Sequence, residues 1–208
     1  MGEDDTNRRG YHHGNLRAAL ADAAVDLIAE KGPQGFTMAE AARAAGVSPA
    51  APYRHFKDRD ALVAEVARDG FERFADRLER AWAGGQPTPL TAFEAVGRAY
   101  LAFARDESAR FAAMFRGPVS EEETALRVAA DRAFGVLLSA SAALSAHLPA
   151  DRRPPPHMVG YHVWAFSHGI AALFDGDGPR RTPISADDLL ESGLGIYLRG
   201  LGVLRSDD

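Results

Sequence analysis

The chain has 208 residues, of which 46% are hydrophobic, so it is long enough to bury a real core in one large domain or two small ones. It contains no cysteine, which excludes a disulfide framework, a thiolate metal site and a cysteine nucleophile. The formal net charge of −5 argues against a protein that coats DNA indiscriminately, although specific binding requires positive charge on only one face.

The first ten residues are acidic and then basic, which is not the pattern of a signal peptide. We expect them to form a disordered arm. Arg8 and Arg9 could follow a phosphate backbone or a minor groove, and a solvated tail is the alternative interpretation. No continuous apolar run approaches the roughly 20 residues of a membrane span. We therefore expect a cytoplasmic protein with no membrane segment.

The first predicted helix runs from about Gly14 to Lys31, and Gly32 and Pro33 end it. Its apolar residues keep helical spacing and share one face: Leu16, Leu20, Ala23, Ala24, Leu27 and Ile28. Its expected role is to brace the segment that follows.

A capping-box pattern opens that segment, because Thr37 is followed three residues later by Glu40. The pattern predicts a short helix over about 38–45. Gly46 is expected to end this helix in the left-handed conformation, which glycine adopts at little cost. Val47 is the one apolar residue of the turn and should pack into the core.

A second short helix is predicted after the turn, with Ser48 as its cap and Pro49 in its first position. The ring of Pro52 would clash with the Ser48 carbonyl, so we expect a distorted first turn or a helix that begins nearer Pro52. Two helices joined by a tight glycine turn form the helix-turn-helix layout, in which the second helix enters the major groove of DNA. An ordinary helical hairpin has the same spacing and is the alternative.

Hydrogen-bond donors cluster around the end of this second predicted helix: Tyr53, Arg54, His55, Lys57 and Arg59. Asp58 is the only acidic residue between residues 43 and 59, so the segment is locally basic within an acidic chain. Such a patch suits a phosphate backbone, which favours DNA binding over the plain hairpin.

Two stretches between Tyr11 and about Val66 carry a family resemblance. They read YHHGNLRAAL and GFTMAEAARAAGVSPAAPYRHFKDRDALV, and they closely resemble the DNA-binding domain of TetR-family transcriptional regulators. In that family the residues matching Tyr53, His55 and Arg59 contact phosphates. Our candidate DNA-binding residues are Thr37, Ser48, Pro49, Ala50, Ala51, Tyr53, Arg54, His55, Lys57 and Arg59.

The side chains expected to face the bases carry few hydrogen-bonding groups. Pro49, Ala50 and Ala51 can touch thymine methyl groups but cannot form bidentate bonds to a base. Arg54 is therefore the best candidate for a contact with a base or a phosphate, because its side chain has the reach. For Phe56 we prefer packing against the neighbouring helices.

Six further helices are predicted, at about 59–83, 89–106, 108–115, 120–147, 157–174 and 186–204. Asp58 is expected to cap the first of them and Ser185 the last. Glycine- and proline-rich stretches separate them, and no strand-like alternation or internal repeat is visible. The expected fold is therefore all-α and TetR-like, with about nine helices.

The segment HVWAFSHGIAALF places Trp164 and His168 one helical turn apart, followed by Gly169. It resembles the Trp-His-Gly motif in the C-terminal domain of one TetR subgroup, where the motif lies near the subunit interface. For His168 we favour a satisfied core histidine packed on Trp164 over a ligand contact. TetR-like dimers join their last two helices in a four-helix bundle, which implies a homodimer here through the last two helices.

The family resemblance also implies a cavity that binds an inducer. The candidate ligand-binding residues are Phe74, Leu78, Trp82, Tyr100, Phe103, Phe111, Met114, Phe115, Phe134, Leu138, Trp164 and His168. A plain hydrophobic core is the alternative, and it is favoured for any single residue. Under the hypothesis, an apolar ligand tilts the helix that begins near Arg59. The tilt changes the distance between the two helix-turn-helix motifs of the dimer and lowers the affinity for DNA.

The leading hypothesis is a homodimeric repressor that leaves a pseudo-palindromic operator in double-stranded DNA when it binds a small apolar or aromatic ligand. Residues 1–60 would form the helix-turn-helix domain, and residues 61–208 the ligand-binding and dimerisation domain. An all-helical enzyme has little support, because the chain has no HExxH, P-loop or nucleophile-elbow motif, and we expect no cofactor or metal. A third interpretation is an interaction module with a degenerate reading head, that is, a helix-turn-helix segment that no longer binds DNA. This interpretation is prompted by Ala50, Ala51 and Pro52.

Overall fold

The computed structural model describes residues 16–117, 124–174 and 183–204. Within these residues the chain forms eight α-helices, three short 3-10 helices and no strand, which confirms the all-α prediction. The arm at residues 1–10, the helix start predicted at Ser120 and most of the polar loop near 175–183 lie outside the described residues.

The helices lie close to their predicted positions, and one predicted helix is absent. In chain order they are α1 (Leu16–Lys31), α2 (Met38–Ala44), α3 (Arg59–Trp82), α4 (Pro89–Asp106), α5 (Ser108–Arg116), α6 (Thr124–Ser145), α7 (Pro156–Leu173) and α8 (Ala186–Gly200). The 3-10 helices are Pro52–Arg54, Ala83–Gly85 and Ala150–Arg152. The second α-helix of the predicted helix-turn-helix motif is missing, and the segment after Gly46 contains only the first of these 3-10 turns.

Two of the predicted helix caps are present. The Asp58 carboxylate accepts a hydrogen bond from the Ala61 backbone N–H at 2.8 Å and starts α3. The Ser185 hydroxyl accepts from the Asp188 backbone N–H at 3.0 Å and starts α8. Each cap satisfies an N–H group that has no partner within its own helix.

The chain divides into two compact units, which do not follow the predicted domain boundary. The first consists of Met1–Gly70 with Ala109–Leu126, and the second of Phe71–Ser108 with Arg127–Asp208. The first unit therefore extends ten residues beyond residue 60 and also includes nearly all of α5. The functional boundary at residue 60 stays a prediction.

The first unit has a hydrophobic core to which α1, α2, α3 and α5 contribute. Its members include Leu20, Ile28, Phe36, Met38, Ala41, Phe56, Leu62, Val63, Val66 and Ala113, each at most 6% exposed. Burying a large side chain of this kind stabilises a fold by roughly 1.5–3 kcal/mol. The core fixes α2 and the segment that follows it against α1 and α3.

The second unit has its own core, to which α4 and the C-terminal half of α3 contribute. Phe74, Leu78, Phe93, Val96 and Tyr100 are each at most 2% exposed. Helix α6 is the one described helix that is long and apolar enough to cross a membrane by length and composition. In this helix 44% of the apolar window is buried inside the protein, and a single helix of this kind does not indicate a membrane span.

Candidate nucleic-acid interface and aromatic core

The start of α2 forms the predicted capping box. The Thr37 hydroxyl accepts from the Glu40 backbone N–H at 3.3 Å, and the Thr37 backbone N–H donates to the Glu40 carboxylate at 2.8 Å. Lys31 of α1 donates to the same carboxylate at 2.7 Å. The Lys31 hydrogen bond, followed by those from Thr37, lowers the pKa of Glu40 to about 2.

The turn after α2 is also as predicted. Gly46 has φ of +71°, and its backbone N–H donates to the Arg43 carbonyl at 3.1 Å. The Val47 backbone N–H donates to the Ala42 carbonyl at 2.9 Å, which completes a Schellman motif. Val47 is half-buried and packs against the core of the first unit.

The segment between Gly46 and α3 differs from the main prediction. We expected an α-helix capped by Ser48 with Pro49 in its first position, and this is wrong. Residues 49–51 form turns, in which the Ala51 backbone N–H donates to the Ser48 carbonyl at 3.0 Å, and the 3-10 helix spans Pro52–Arg54. Pro52 has no N–H to donate, and its ring would clash with the Ser48 carbonyl in a continuous helix. The expected alternative, helical geometry that begins nearer Pro52, is confirmed.

The side chains of this segment divide into a buried anchor and an exposed set of donors. Pro52 is buried and Phe56 is only 3% exposed, so both hold the segment on the core. We call the four exposed polar residues the donor surface: Tyr53, Arg54, His55 and Lys57. Tyr53 is 59% exposed although it is a large aromatic residue, so core packing does not explain its position.

The remaining candidate DNA-binding residues lie in different environments. Thr37, Ser48, Pro49 and Ala50 are exposed and Ala51 is half-buried. The Thr37 hydroxyl is held by Glu40, as described above. The Arg59 guanidinium donates to the Gln34 carbonyl at 3.0 Å and to Asp60 at 2.6 Å. Arg59 therefore has protein partners in this structure.

Arg17 of α1 contacts the end of the donor surface, and the sequence analysis missed it. Its guanidinium lies 4.7 Å from the centre of the Phe56 ring and donates to the His55 carbonyl at 3.3 Å. It also donates to Glu65 of α3 at 2.8 Å, and Arg68 donates to the same carboxylate at 3.0 Å. No local pattern could reveal these contacts, because Arg17 is 38 residues from His55 and 48 from Glu65.

Glu65 is strongly acidic because of these partners. Hydrogen bonds from Arg68 and then from Arg17 lower its pKa to about 2, against an opposing effect of burial. A groove of about 370 Å³ lies beside the cluster and is lined in part by Arg17, His55 and Lys57.

Three of the candidate ligand-binding residues form a close aromatic group in the second unit. The Phe74 ring lies edge-on to Tyr100 with centroids 4.9 Å apart, and its centroid is 5.0 Å from that of Phe103. The Tyr100 hydroxyl is 3.2 Å from Nδ1 of His168, and burial raises the pKa of Tyr100 above its ordinary value. His168 thus has a partner in the core, as expected for a satisfied histidine.

The other candidate ligand-binding residues divide between the units. The Phe134 and Trp164 rings are tilted by 44° with centroids 5.0 Å apart. Leu78 is fully buried, and Trp82 and Leu138 are half-buried. These residues all belong to the second unit. Phe111, Met114 and Phe115 lie on α5 in the first unit, where the Phe111 and Phe115 rings are 4.8 Å apart.

Helices α7 and α8 expose large apolar side chains. On α7, Tyr161 is 60% exposed and Leu173 is 66% exposed, and on α8 Ile196 is 69% exposed. Met158 and Phe166 of α7 are 40% and 42% exposed. We call these five side chains the α7–α8 apolar face. Among the described residues, no group of three or more potential ligands is placed to hold a metal ion.

Comparison with known proteins identifies relatives of both halves of the chain. Residues 20–66 match the family model for bacterial regulatory proteins of the tetR family, and residues 93–197 match the model for the tetracyclin repressor-like C-terminal domain. The HTH-type transcriptional regulator BetI of Brucella anthropi is 27% identical over 198 residues, which cover 88% of this chain and 94% of that protein.

Solved structures share the fold over most of its length. A protein of unknown function from Rhodococcus sp. RHA1 superposes with a TM-score of 0.76 and 27% identity, covering 92% of this chain and 98% of that one. The TetR-family transcriptional regulator PfmR from Thermus thermophilus superposes with a TM-score of 0.68 and 20% identity, covering 86% of this chain and 97% of that one.

Proposed function

Because the chain belongs to the TetR family of bacterial transcriptional regulators, we propose that it is a homodimeric repressor that a small apolar or aromatic ligand releases from a pseudo-palindromic operator. Membership of this family makes the protein a transcription regulator with a helix-turn-helix DNA-binding domain, and not an enzyme. The repressor activity, the dimer, the ligand and a cytoplasmic location are the parts that we propose.

The donor surface is the observation that carries DNA binding for this chain. Four exposed polar side chains with a basic character belong to a segment that Pro52 and Phe56 anchor to the core. Such an arrangement fits a row of phosphates, which accept hydrogen bonds and favour positive charge. Tyr53, His55 and Lys57 are the proposed phosphate contacts, and Arg54 is proposed to reach a base or a phosphate. The proposed contacts also include Thr37, Ser48, Pro49, Ala50, Ala51 and Arg59.

Selection of genomic fragments by the purified protein tests this proposal. A specific dimeric regulator should enrich an inverted repeat, and the logarithm of its affinity should fall steeply with the logarithm of salt concentration. Failure to enrich any fragment, both before and after unfolding and refolding to remove a bound ligand, would contradict the proposal.

The aromatic group around Phe74 supports the proposed ligand class. Its buried rings pack against one another, with the Tyr100 hydroxyl and His168 as polar groups inside an apolar setting. Apolar pockets with a few polar groups are the usual form of small-molecule sites. The proposed mechanism requires a ligand that binds the DNA-released state more tightly than the DNA-bound state.

The ligand proposal can be tested without knowing the natural inducer. A panel of apolar and aromatic compounds is screened by calorimetry, and each binder is added to the protein–operator complex. At least one binder should weaken operator affinity, and Tyr100→Phe should alter the binding of any compound that uses the hydroxyl. If no binder changes operator affinity, the inducer part of the proposal fails.

A module with a degenerate reading head is the second candidate function. It is favoured by the absence of an α-helix between Gly46 and α3 and by the apolar side chains of Pro49, Ala50 and Ala51. Tyr53→Phe and Arg54→Ala separate the two candidates. Loss of affinity in these variants supports a working reading head, whereas unchanged affinity in both supports the degenerate one.

A further inference from the structure

Arg17 joins three parts of the first unit through one side chain. Its guanidinium donates to Glu65 of α3 at 2.8 Å and to the His55 carbonyl at 3.3 Å, and it lies over the Phe56 ring at 4.7 Å. Arg68 also donates to both oxygens of the Glu65 carboxylate, at 3.0 and 3.2 Å. The carboxylate therefore fixes the direction of the Arg17 fork.

The segment that Arg17 contacts has little backbone support of its own. The His55 and Phe56 backbone N–H groups both donate to the Pro52 carbonyl, at 2.9 and 3.0 Å, and α3 begins only at Arg59. No helical ladder runs through residues 55–58, so the directions of the His55 and Lys57 side chains depend on what holds the turn. Phe56 holds it from the core side, and Arg17 holds it from the α1 side.

We propose that Arg17 is a positioning residue for DNA binding, which fixes the turn at His55–Lys57 so that these side chains meet adjacent phosphates. The inference rests on the proposed DNA-binding function and adds a residue that the donor surface does not contain. Glu65 takes part as the group that holds Arg17 in place.

A direct phosphate contact by Arg17 is the competing explanation, because 51% of its side chain is exposed. The two roles differ in what they need from the side chain. A direct contact needs mainly a positive charge, which lysine also supplies. Positioning needs the several N–H donors of the planar guanidinium and its flat face over the Phe56 ring, which lysine does not supply.

The test compares Arg17→Lys with Arg17→Gln on the selected DNA fragment across a salt series. If Arg17 positions the turn, both variants should lose affinity to a similar degree, roughly tenfold. If Arg17 binds a phosphate directly, Arg17→Lys should stay near wild type, and Arg17→Gln should reduce the salt slope by about 0.9. The second result, or wild-type affinity in both variants, overturns the inference.

Glu65→Gln gives an independent test by the sign of its effect. Removing this negative charge makes the DNA-binding unit more basic, which by charge alone should strengthen DNA binding. Positioning predicts the opposite, several-fold weaker binding, because Arg17 loses its partner. Tighter binding by Glu65→Gln therefore also overturns the inference.

Amide hydrogen exchange separates a failure of this inference from a failure of the proposed function. In Arg17→Lys the backbone N–H groups of residues 55–57 should exchange faster than in wild type, whereas those in the middle of α1 should not change. This measurement requires no DNA. If exchange is faster but the protein binds no DNA fragment, the DNA-binding proposal is contradicted, whereas the role of Arg17 in holding the turn is supported. Unchanged exchange would contradict that role of Arg17.

Discussion

Gly46 shows how one residue sets the form of the turn that leads to the donor surface. Its φ of +71° lies in the left-handed region, and an ideal Cβ atom built on it would meet nothing within 4 Å. Space is therefore not what selects glycine here. The selection comes from the backbone conformation, which costs other L-residues about 1–2 kcal/mol.

We expect Gly46→Ala to lower the free energy of unfolding by about 1 kcal/mol, measured by urea titration. Gly135→Ala is the matched control, because Gly135 lies within α6 and its Cβ would also meet open space. This control should gain about 0.5–1 kcal/mol, since alanine favours a helix interior. A Gly46→Ala protein as stable as wild type would show that the turn tolerates a side chain.

The backbone structure around Pro52 could be predicted only in part from the sequence. A proline four residues after a helix cap conflicts with a regular helix, and that conflict was visible in the sequence. The sequence left two outcomes open, a distorted α-helix or a later start. The choice between them depends on how Phe56 packs with residues of α1 and α3 in the core of the first unit, and those contacts have no local signal.

At the scale of the element, helix positions were predictable because caps and apolar periodicity act locally. Thr37, Asp58 and Ser185 each start the helix that the sequence assigned to them. The grouping of helices was not predictable in the same way. Helix α5 belongs with the first unit, where Arg110 donates to Asp69 of α3 at 2.8 Å across 41 residues. This long-range contact has no local signal in the sequence, and the predicted functional boundary at residue 60 stays a prediction.

Glu65 links α3 to α1, so the stability of this link should depend on pH. Its pKa is lowered from an ordinary value of 4.5 to about 2 in the folded protein. A group with a depressed pKa stabilises the fold fully above its unfolded pKa, and the stabilisation is lost as the pH falls toward the folded pKa. The window for Glu65 therefore lies between about pH 4.5 and pH 2.

We expect the free energy of unfolding to fall across this window and to fall less steeply in Glu65→Gln. Urea titrations at several pH values between about 6 and 2.5 measure both slopes. Glu40 has the same depressed pKa and should account for part of the remaining slope. Parallel pH profiles for wild type and Glu65→Gln would show that Glu65 is not held by its arginine partners in solution.

For the whole molecule, the proposed DNA binding and the proposed dimer are linked, because one short segment gives little sequence specificity. One short segment such as the donor surface would contact few base pairs, and it would offer little direct readout because Ala50 and Ala51 lack hydrogen-bonding groups. Two such segments spaced by one DNA turn would read a longer, symmetric sequence. Under the proposed function, specific binding would therefore require a dimer, and we propose the α7–α8 apolar face as its interface.

That face has the composition of an interface that a partner covers. Tyr161, Leu173 and Ile196 are each at least 60% exposed, although large apolar residues usually lie inside. The Gly193 backbone allows the Phe166 ring to approach, because an ideal Cβ there would be 3.3 Å from the ring. A stable dimer buries roughly 1,200–2,000 Å² in total, so a dimer interface here would include neighbouring residues beside these five side chains.

We expect the double variant Leu173→Glu with Ile196→Glu to be a folded monomer, because a symmetric interface would bring four buried carboxylates together with no partners. Sedimentation velocity measures the change from dimer to monomer, and circular dichroism checks that the helices persist. Val128→Glu is the matched control, since Val128 is 59% exposed on α6, outside this face, and the control should remain a dimer.

The double variant should also lose at least about a hundredfold in affinity for the inverted repeat while keeping weak binding to a single half-site, because loss of the second helix-turn-helix segment removes the coupling between half-sites. A double variant that stays dimeric would place the interface elsewhere, and a monomeric wild type would remove the assembly from the mechanism.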